Sequence, residues 1–213
     1  MLRMNFAGDP NLGLYGFATD EYCVVGVHAA RDKIEKELKV KAHFFTVFNT
    51  GLLGIFAAGN SSGIVVPNLL EKDERKHLHM ADVLYLTSRY TALGNLILMN
   101  DNGIILSPLL RKERQEIENF FGLRCAITKI AGTVVVGNLG IATNKGCLLH
   151  PRVKKQEMKL IEDTLGVEAD IGTVNFGSPY PGAGVIANSF GFVASRQSSG
   201  PELGRITEAL GFL

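Results

Sequence analysis

Short apolar runs and charged stretches follow one another along this chain in a recurring order, and that order predicts its elements. Apolar runs at residues 14–18, 54–58, 96–99, 140–143 and 185–187 each lead into a polar turn and a second apolar run such as Ile64-Val65-Val66 or Ile104-Ile105-Leu106. The turns are Asn60-Ser61-Ser62-Gly63, Asn100-Asp101-Asn102-Gly103, Asn144-Lys145-Gly146 and Asn188-Ser189-Phe190-Gly191. A weaker copy, Thr19-Asp20-Glu21, has Glu21 where the others have Gly. Two apolar runs joined by Asn, Asp and Gly predict a hairpin, because these residues accept the positive φ of hairpin turns. Charged stretches follow at 31–39, 71–80, 111–121, 153–165 and 201–210. Within four of them the pairs Ile34/Leu38, Ile117/Phe121, Ile161/Leu165 and Ile206/Leu210 share one helical face. A third strand is predicted to open each unit, at 2–6, 43–48, 82–87, 125–130 and 169–175.

The equivalent turn positions Glu21, Gly63, Gly103, Gly146 and Gly191 are separated by 42, 40, 43 and 45 residues, so five units of about forty residues fill the chain. Their bounds are about 1–40, 41–81, 82–123, 124–167 and 168–213. One such unit has too little apolar surface to be stable alone, so neighbours must bury one another's faces. Near-equal lengths and the lack of a polar capping unit predict a single α/β domain closed into a ring. Strands then face the axis, helices lie outside, and loops collect at two rims. The segment 90–95 reads as present in one unit only, which makes it the first place to look for function.

Composition narrows the class. An apolar fraction of 46% with 20% charged residues suits a soluble globular protein with a sizeable core. No stretch approaches the eighteen apolar residues of a membrane helix, and the N-terminus lacks the apolar region of a secretory signal. Cys23, Cys125 and Cys147 lie in apolar runs and read as buried, reduced thiols of a cytoplasmic protein. The net charge of +1 argues against binding to nucleic acid mainly through phosphates, whose binders are usually strongly basic, so any such contact is expected to be local.

Few side chains point to chemistry. His77-x-His79 places two imidazoles in different directions on a predicted helix, which does not suit a metal. Cys147-x-x-His150 has the types of a nucleophile and base, but residues three apart on a strand face opposite sides. Gly132, Gly137, Gly140, Gly146 and the glycines of 177–184 match no phosphate-binding fingerprint and read as tight turns. Asn60, Asn95, Asn100, Asn102, Asn138, Asn144, Asn175 and Asn188 collect at strand ends, where a turn role is the default. Those that project from a rim can also bind a partner, since an amide both donates and accepts without charge.

Four segments together carry a resemblance: Gly59-Asn60-x-x-Gly63-Ile64-Val65-Val66-Pro67-Asn68, Ala92-Leu93-Gly94-Asn95, Asn144-x-Gly146-x-Leu148-x-His150-Pro151, and Gly172-Thr173-Val174-Asn175-x-Gly177-Ser178 followed by Ala183-Gly184. In this order and spacing the chain resembles the translation initiation factor 6 family in its archaeal form, over essentially its whole length. The resemblance implies the pentein fold, a five-bladed pseudo-fivefold α/β propeller. It also implies binding without catalysis to the large (50S) ribosomal subunit, among ribosomal proteins and rRNA near the sarcin-ricin loop, which blocks joining of the small (30S) subunit. Release by an elongation-factor-type GTPase and a Shwachman-Bodian-Diamond protein is implied too. The expected protein is a cytoplasmic monomer with no cofactor, metal or membrane, and without the C-terminal tail of eukaryotic members. Candidate ribosome contacts are Asn60, Arg89, Gly94, Asn95, Asp101, Asn102, Asn138 and Asn144. Two other readings stand beside this one. A guanidine-modifying enzyme of the same fold takes its nucleophile from a Cys in the final unit, helped by a His and carboxylates converging on the central channel, whereas residues 168–213 contain no Cys and no His; a non-ribosomal scaffold differs only in partner.

Overall fold

A computed structural model describes residues 1–27 and 30–213. It contains five three-stranded sheets, each built in the same way. An antiparallel hairpin supplies two strands, a helix follows, and the strand after the helix pairs in parallel with the second hairpin strand. The first sheet joins Gly16–Ala18, Tyr22–Val25 and Lys41–Phe44. The second joins Ala58–Gly59, Gly63–Pro67 and Asp82–Leu86, and the third Ile97–Met99, Ile104–Leu106 and Cys125–Ile127. The fourth joins Gly140–Ala142, Cys147–Leu149 and Ala169–Ile171. In the fifth, the hairpin Val185–Asn188 and Gly191–Ala194 takes its third strand from the start of the chain, with Leu2 opposite Val193 and Arg3 opposite Ala194. The third strand of every sheet thus comes from the following unit, and the last following unit is the first.

The core repeats the cycle. Five buried clusters each mix residues of two neighbouring sheets, from Tyr22 and Val24 with Ile64 and Val66 round to Ile186 and Val193 with Cys23 and Val25. Each is a wedge that neither sheet could bury alone, the physical reason the repeat closes. The longer helices, Arg31–Leu38, Arg114–Phe121, Lys155–Leu165 and Gly200–Ala209, bury the predicted apolar pairs and expose their charged faces. The second unit departs from prediction: its helix is one turn, Lys72–Arg75, in place of 71–80. His77 and His79 lie beyond it, His79 edge-on to His43. The opening strands are also shorter than predicted, because their last residues turn out into rim loops.

The first hairpin strands line a central channel through Gly16, Phe17, Ala18, Ala58, Leu98, Ile141 and Ile186. One end of the channel is closed by glycines. A Cβ built on Gly13 would lie 2.0 Å from the carbonyl oxygen of Gly182, and one on Gly182 2.0 Å from that of Gly137. Next come Gly137 at 1.9 Å from Gly94, Gly94 at 2.0 Å from Gly54, and Gly54 at 2.0 Å from Gly13. No Cβ fits at these distances, so the five backbones touch in an unbroken ring. Gly94 therefore has an equivalent in every unit, which corrects the reading of 90–95 as unrepeated.

Candidate functional site

The two ends of the channel differ in what they leave free. At the end opposite the glycine ring the five hairpin turns meet, and each is built around a buried side-chain oxygen. Asn60 Oδ1 accepts from the N–H groups of Ser62 and Gly63 at 3.0 and 3.2 Å, and Asn100 Oδ1 from Asn102 and Gly103 at 3.0 and 3.1 Å. Asn188 serves Phe190 and Gly191 in the same way. Thr19 and Thr143 do so through Oγ1. These are Asx and Ser/Thr turns. Gly63, Gly103, Gly146 and Gly191 accordingly lack the positive φ expected of them. Glycine is needed there because the next unit's helix passes too close: a Cβ on Gly103 would lie 2.0 Å from Thr164 O, on Gly146 2.1 Å from Ala209 O, and on Gly191 2.5 Å from Glu37 O. The first turn tolerates Glu21 because the helix of the second unit is one turn long and stops short.

The same side chains tie neighbouring units together. Asn100 Nδ2 donates to Thr143 O at 3.0 Å and to Leu165 O, at the end of the next helix, at 2.9 Å. Asn188 Nδ2 does the same for Thr19 O and Leu38 O, at 2.9 and 2.8 Å. One position further on, Asp101 accepts from Ser61 N–H and Oγ, and Asn144 Oδ1 accepts from Asp101 N–H. Asn144 Nδ2 donates to both Asp20 and Asp101, at 2.8 and 2.6 Å. Asn102 donates to Leu165 O at 3.1 Å. Four of the sequence candidates, Asn60, Asp101, Asn102 and Asn144, are thus placed together; the polar side-chain atoms of Asn60, Asp101 and Asn144 are committed to the protein itself, and exposed Asn102 bonds through its Nδ2.

Gly94, Asn95 and Asn138 belong to the opposite end. Asn95 and Asn138 follow the ring glycines Gly94 and Gly137, and their carbonyls accept from Gly137 N–H and Gly182 N–H at 3.0 and 3.1 Å. The side-chain oxygen of Asn95 is buried and has no partner. Around the ring stand the loops that follow each third strand. Four of them, at residues 6–9, 47–50, 130–133 and 174–178, close on a bridge across a left-handed turn. The fifth, at 87–90, has none among the described residues. Arg89 is exposed there and lies over the Tyr90 ring at 4.6 Å, donating to its hydroxyl.

A carboxylate missed by sequence reasoning holds the loops in place. Glu74, Glu157 and Glu202 occupy the third position of their helices and accept from their own helix starts. Each also reaches across to the rim loop of its unit: Glu74 to Asn49 N–H, Glu157 to Ala131 and Gly132, Glu202 to Phe176 and Gly177. Their signal is regular, since each stands eleven residues after its hairpin glycine. Burial pushes the Glu202 carboxyl up, but bonds from the Ser199 and Gly177 amides and the Thr173 and Ser199 hydroxyls outweigh it and hold the group below its ordinary 4.5. A carboxyl lowered by folding stabilises the protein above its unfolded pKa, and that stability is lost as pH falls through the folded value. Glu202→Gln is expected to cost about 2 kcal/mol at pH 7. The gap to wild type should narrow as pH drops below about 4.5; thermal melts across pH 3–7 check both, and a gap independent of pH contradicts the role.

Catalytic alternatives gain little from the geometry. Cys23, Cys125 and Cys147 are buried, and burial pushes all three thiols up, those of Cys23 and Cys125 to about 12. Among the described residues no group of three or more His, Cys, Asp or Glu is placed to hold a metal, and no helix is long and apolar enough to cross a membrane.

Known proteins match this chain along nearly its whole length. The profile of the eIF-6 family matches residues 1–209. Translation initiation factor 6 of Haloquadratum walsbyi is 38% identical over 220 residues, covering 100% of this chain and 97% of its own. That of Pyrococcus horikoshii is 37% identical, covering 99% and 98%, and that of Methanocaldococcus jannaschii 32%, covering 100% and 99%. The chain belongs to the eIF-6 family.

Proposed function

We propose that this protein is a cytoplasmic translation factor that binds the large ribosomal subunit on its intersubunit face and blocks the small subunit by occupying its place. In this reading it is a monomeric five-bladed pentein propeller, one domain of five repeats, that acts as a rigid body and catalyses nothing. An interface of standard size, about 1,600 Å² in total, is enough for tight binding, and the obstruction is steric. Ribosomal proteins and rRNA near the sarcin-ricin loop form the partner surface. Release then falls to an elongation-factor-type GTPase acting with a Shwachman-Bodian-Diamond protein.

The glycine end is the docking face in this proposal. The observation that carries it is the contrast between the two ends: the amides and carboxylates of Asn60, Asp101 and Asn144 bond within the protein, whereas Asn95 Oδ1 is an acceptor without a donor. A buried acceptor left unpaired costs about 1–3 kcal/mol, and a partner's donor recovers it once docking turns the Asn95 amide outward. Arg89 and Tyr90, on the one loop of this end without a closing bridge, extend the surface.

Sedimentation tests this. The protein should travel with archaeal large subunits, not with small ones, and lower the yield of joined ribosomes. Asn95→Ala should weaken binding about tenfold, the worth of one well-placed hydrogen bond, without lowering the melting temperature. Free migration at micromolar concentration contradicts the function, and unchanged binding by Asn95→Ala contradicts the assignment of the face.

A further inference from the structure

Phe176 stands out among the described residues because its backbone and its exposure are both wrong for a phenylalanine. The residue is 85% exposed. Its φ is +62°, in the left-handed region that side chains other than Gly, Asn and Asp rarely enter. Equivalent loops put Gly8, Asn49 and Gly132 at the second left-handed position, residues suited to it. In the fifth loop Asn175, Phe176 and Gly177 all have positive φ, so this loop carries one more such residue than the others.

Nothing in the fold asks for a ring at this place, yet the fold fixes it there. The N–H groups of Phe176 and Gly177 are held by Glu202 at 3.1 and 2.8 Å, and Asn175 N–H by Ser198 Oγ at 3.1 Å. Asn175 Nδ2 reaches Pro10 O at 3.0 Å and so anchors the loop to the neighbouring unit. Glu202 is itself buried and takes five donors in all. Strain kept at a solvent-exposed aromatic by a buried clamp points from the observed outlier to a function.

We propose that Phe176 is a preset aromatic anchor that enters an apolar pocket of a protein on the docking partner. This rests on the ribosome reading above and names the chemistry of one contact within it. The loop lies at the glycine end, the proposed docking face, with half-exposed Tyr180 two residues before the ring glycine Gly182. Its charge favours a protein pocket over a nucleobase. Stacking platforms for RNA combine aromatics with cations that follow the phosphates; residues 160–195 contain neither Lys nor Arg, and Arg3, which reaches the loop's neighbour Ser198, commits its guanidinium to the carbonyls of Arg196 and Ser198. A rigid aromatic at the centre of an interface is the usual form of a binding hot spot, and holding it in place beforehand lowers the entropy lost on binding.

The test uses the opposed demands of strain and contact. Phe176→Gly removes the ring and suits the backbone, so its melting temperature should be no lower than that of the unaltered chain, while its affinity for large subunits falls by about thirtyfold or more. Phe176→Leu fills a pocket but cannot stack, so it should stay within about threefold of the unaltered chain. Unchanged binding by Phe176→Gly overturns the proposal. A lower melting temperature for that variant also overturns it, since the ring would then be a packing residue. A Leu variant as weak as the Gly variant overturns the protein pocket in favour of base stacking. Failure of the unaltered chain to bind large subunits removes the ribosome reading and this contact with it, a result distinct from all three.

Discussion

Gly137→Ala is expected to lower the stability of the fold by at least about 4 kcal/mol, at the extreme of what single substitutions do. The added methyl would sit 1.9 Å from Gly94 O and 2.7 Å from Ile97 O. Both are backbone atoms, so no side chain can turn aside to relieve the clash. Because the ring is closed, a shift of one unit outward must be taken up by the other four or by the pairing of Leu2–Arg3 with the fifth hairpin. With total stabilities of about 5–15 kcal/mol for ordinary domains, the variant should melt at least about 10 °C lower or fail to fold. Gly204→Ala is the contrasting case. Gly204 lies inside the last helix with nothing within 4 Å of its Cβ position, and alanine there should add about 1 kcal/mol through helix propensity. Thermal melts of the pair check the account; similar behaviour of the two variants contradicts it.

At the other end, Asn100→Ala should cost about 4 kcal/mol. One buried amide satisfies two N–H groups, of Asn102 and Gly103, and two carbonyls, of Thr143 and Leu165. Alanine leaves all four without that partner in a site closed to bulk water, at about 1 kcal/mol or more each. Asn100→Asp does not rescue the loss. The carboxylate still accepts from the turn, but it turns negative charge toward two carbonyl oxygens, where the fold needs a donor. Asn102→Ala, which removes a single bond to Leu165 O, should cost about 1 kcal/mol. Urea unfolding of the three variants measures the order directly, and equal losses at positions 100 and 102 would show that the cross-unit amide has no special role.

These two positions also show how far the sequence could be read. Gly103 and Asn100 were visible as punctuation because they recur with the hairpins, and the pairs Ile117/Phe121 and Ile161/Leu165 located helices that the structure contains. The hairpin glycine serves close packing and not the turn. A turn signal and a close-packing signal use the same residue, and only the path of the next helix distinguishes them. The ring glycines Gly13, Gly54, Gly94, Gly137 and Gly182 are legible in principle, since they recur at 41, 40, 43 and 45 residues. They lie outside the hairpin turn, where the repeat is less marked, so in sequence Gly94 reads as a contact of one unit and Gly137 and Gly182 as tight turns. Glu202 and its counterparts were hidden differently: their bonds to the rim loops span 25 or 26 residues, and no local pattern carries that pairing. The candidate site divided for the same reason. Asn60 and Asn95 look alike in sequence, but the alternating direction of the strands sends them to opposite ends of the channel.

The most direct measurement is an image of the large subunit with this protein bound, at a resolution that orients its five sheets. The account predicts that the glycine ring, Asn95 and Phe176 face the subunit, with the turns at Asn60, Asp101 and Asn144 directed toward solvent and the protein filling space the small subunit requires. Density showing the hairpin turns against the ribosome, or the protein bound away from the intersubunit face, would contradict it.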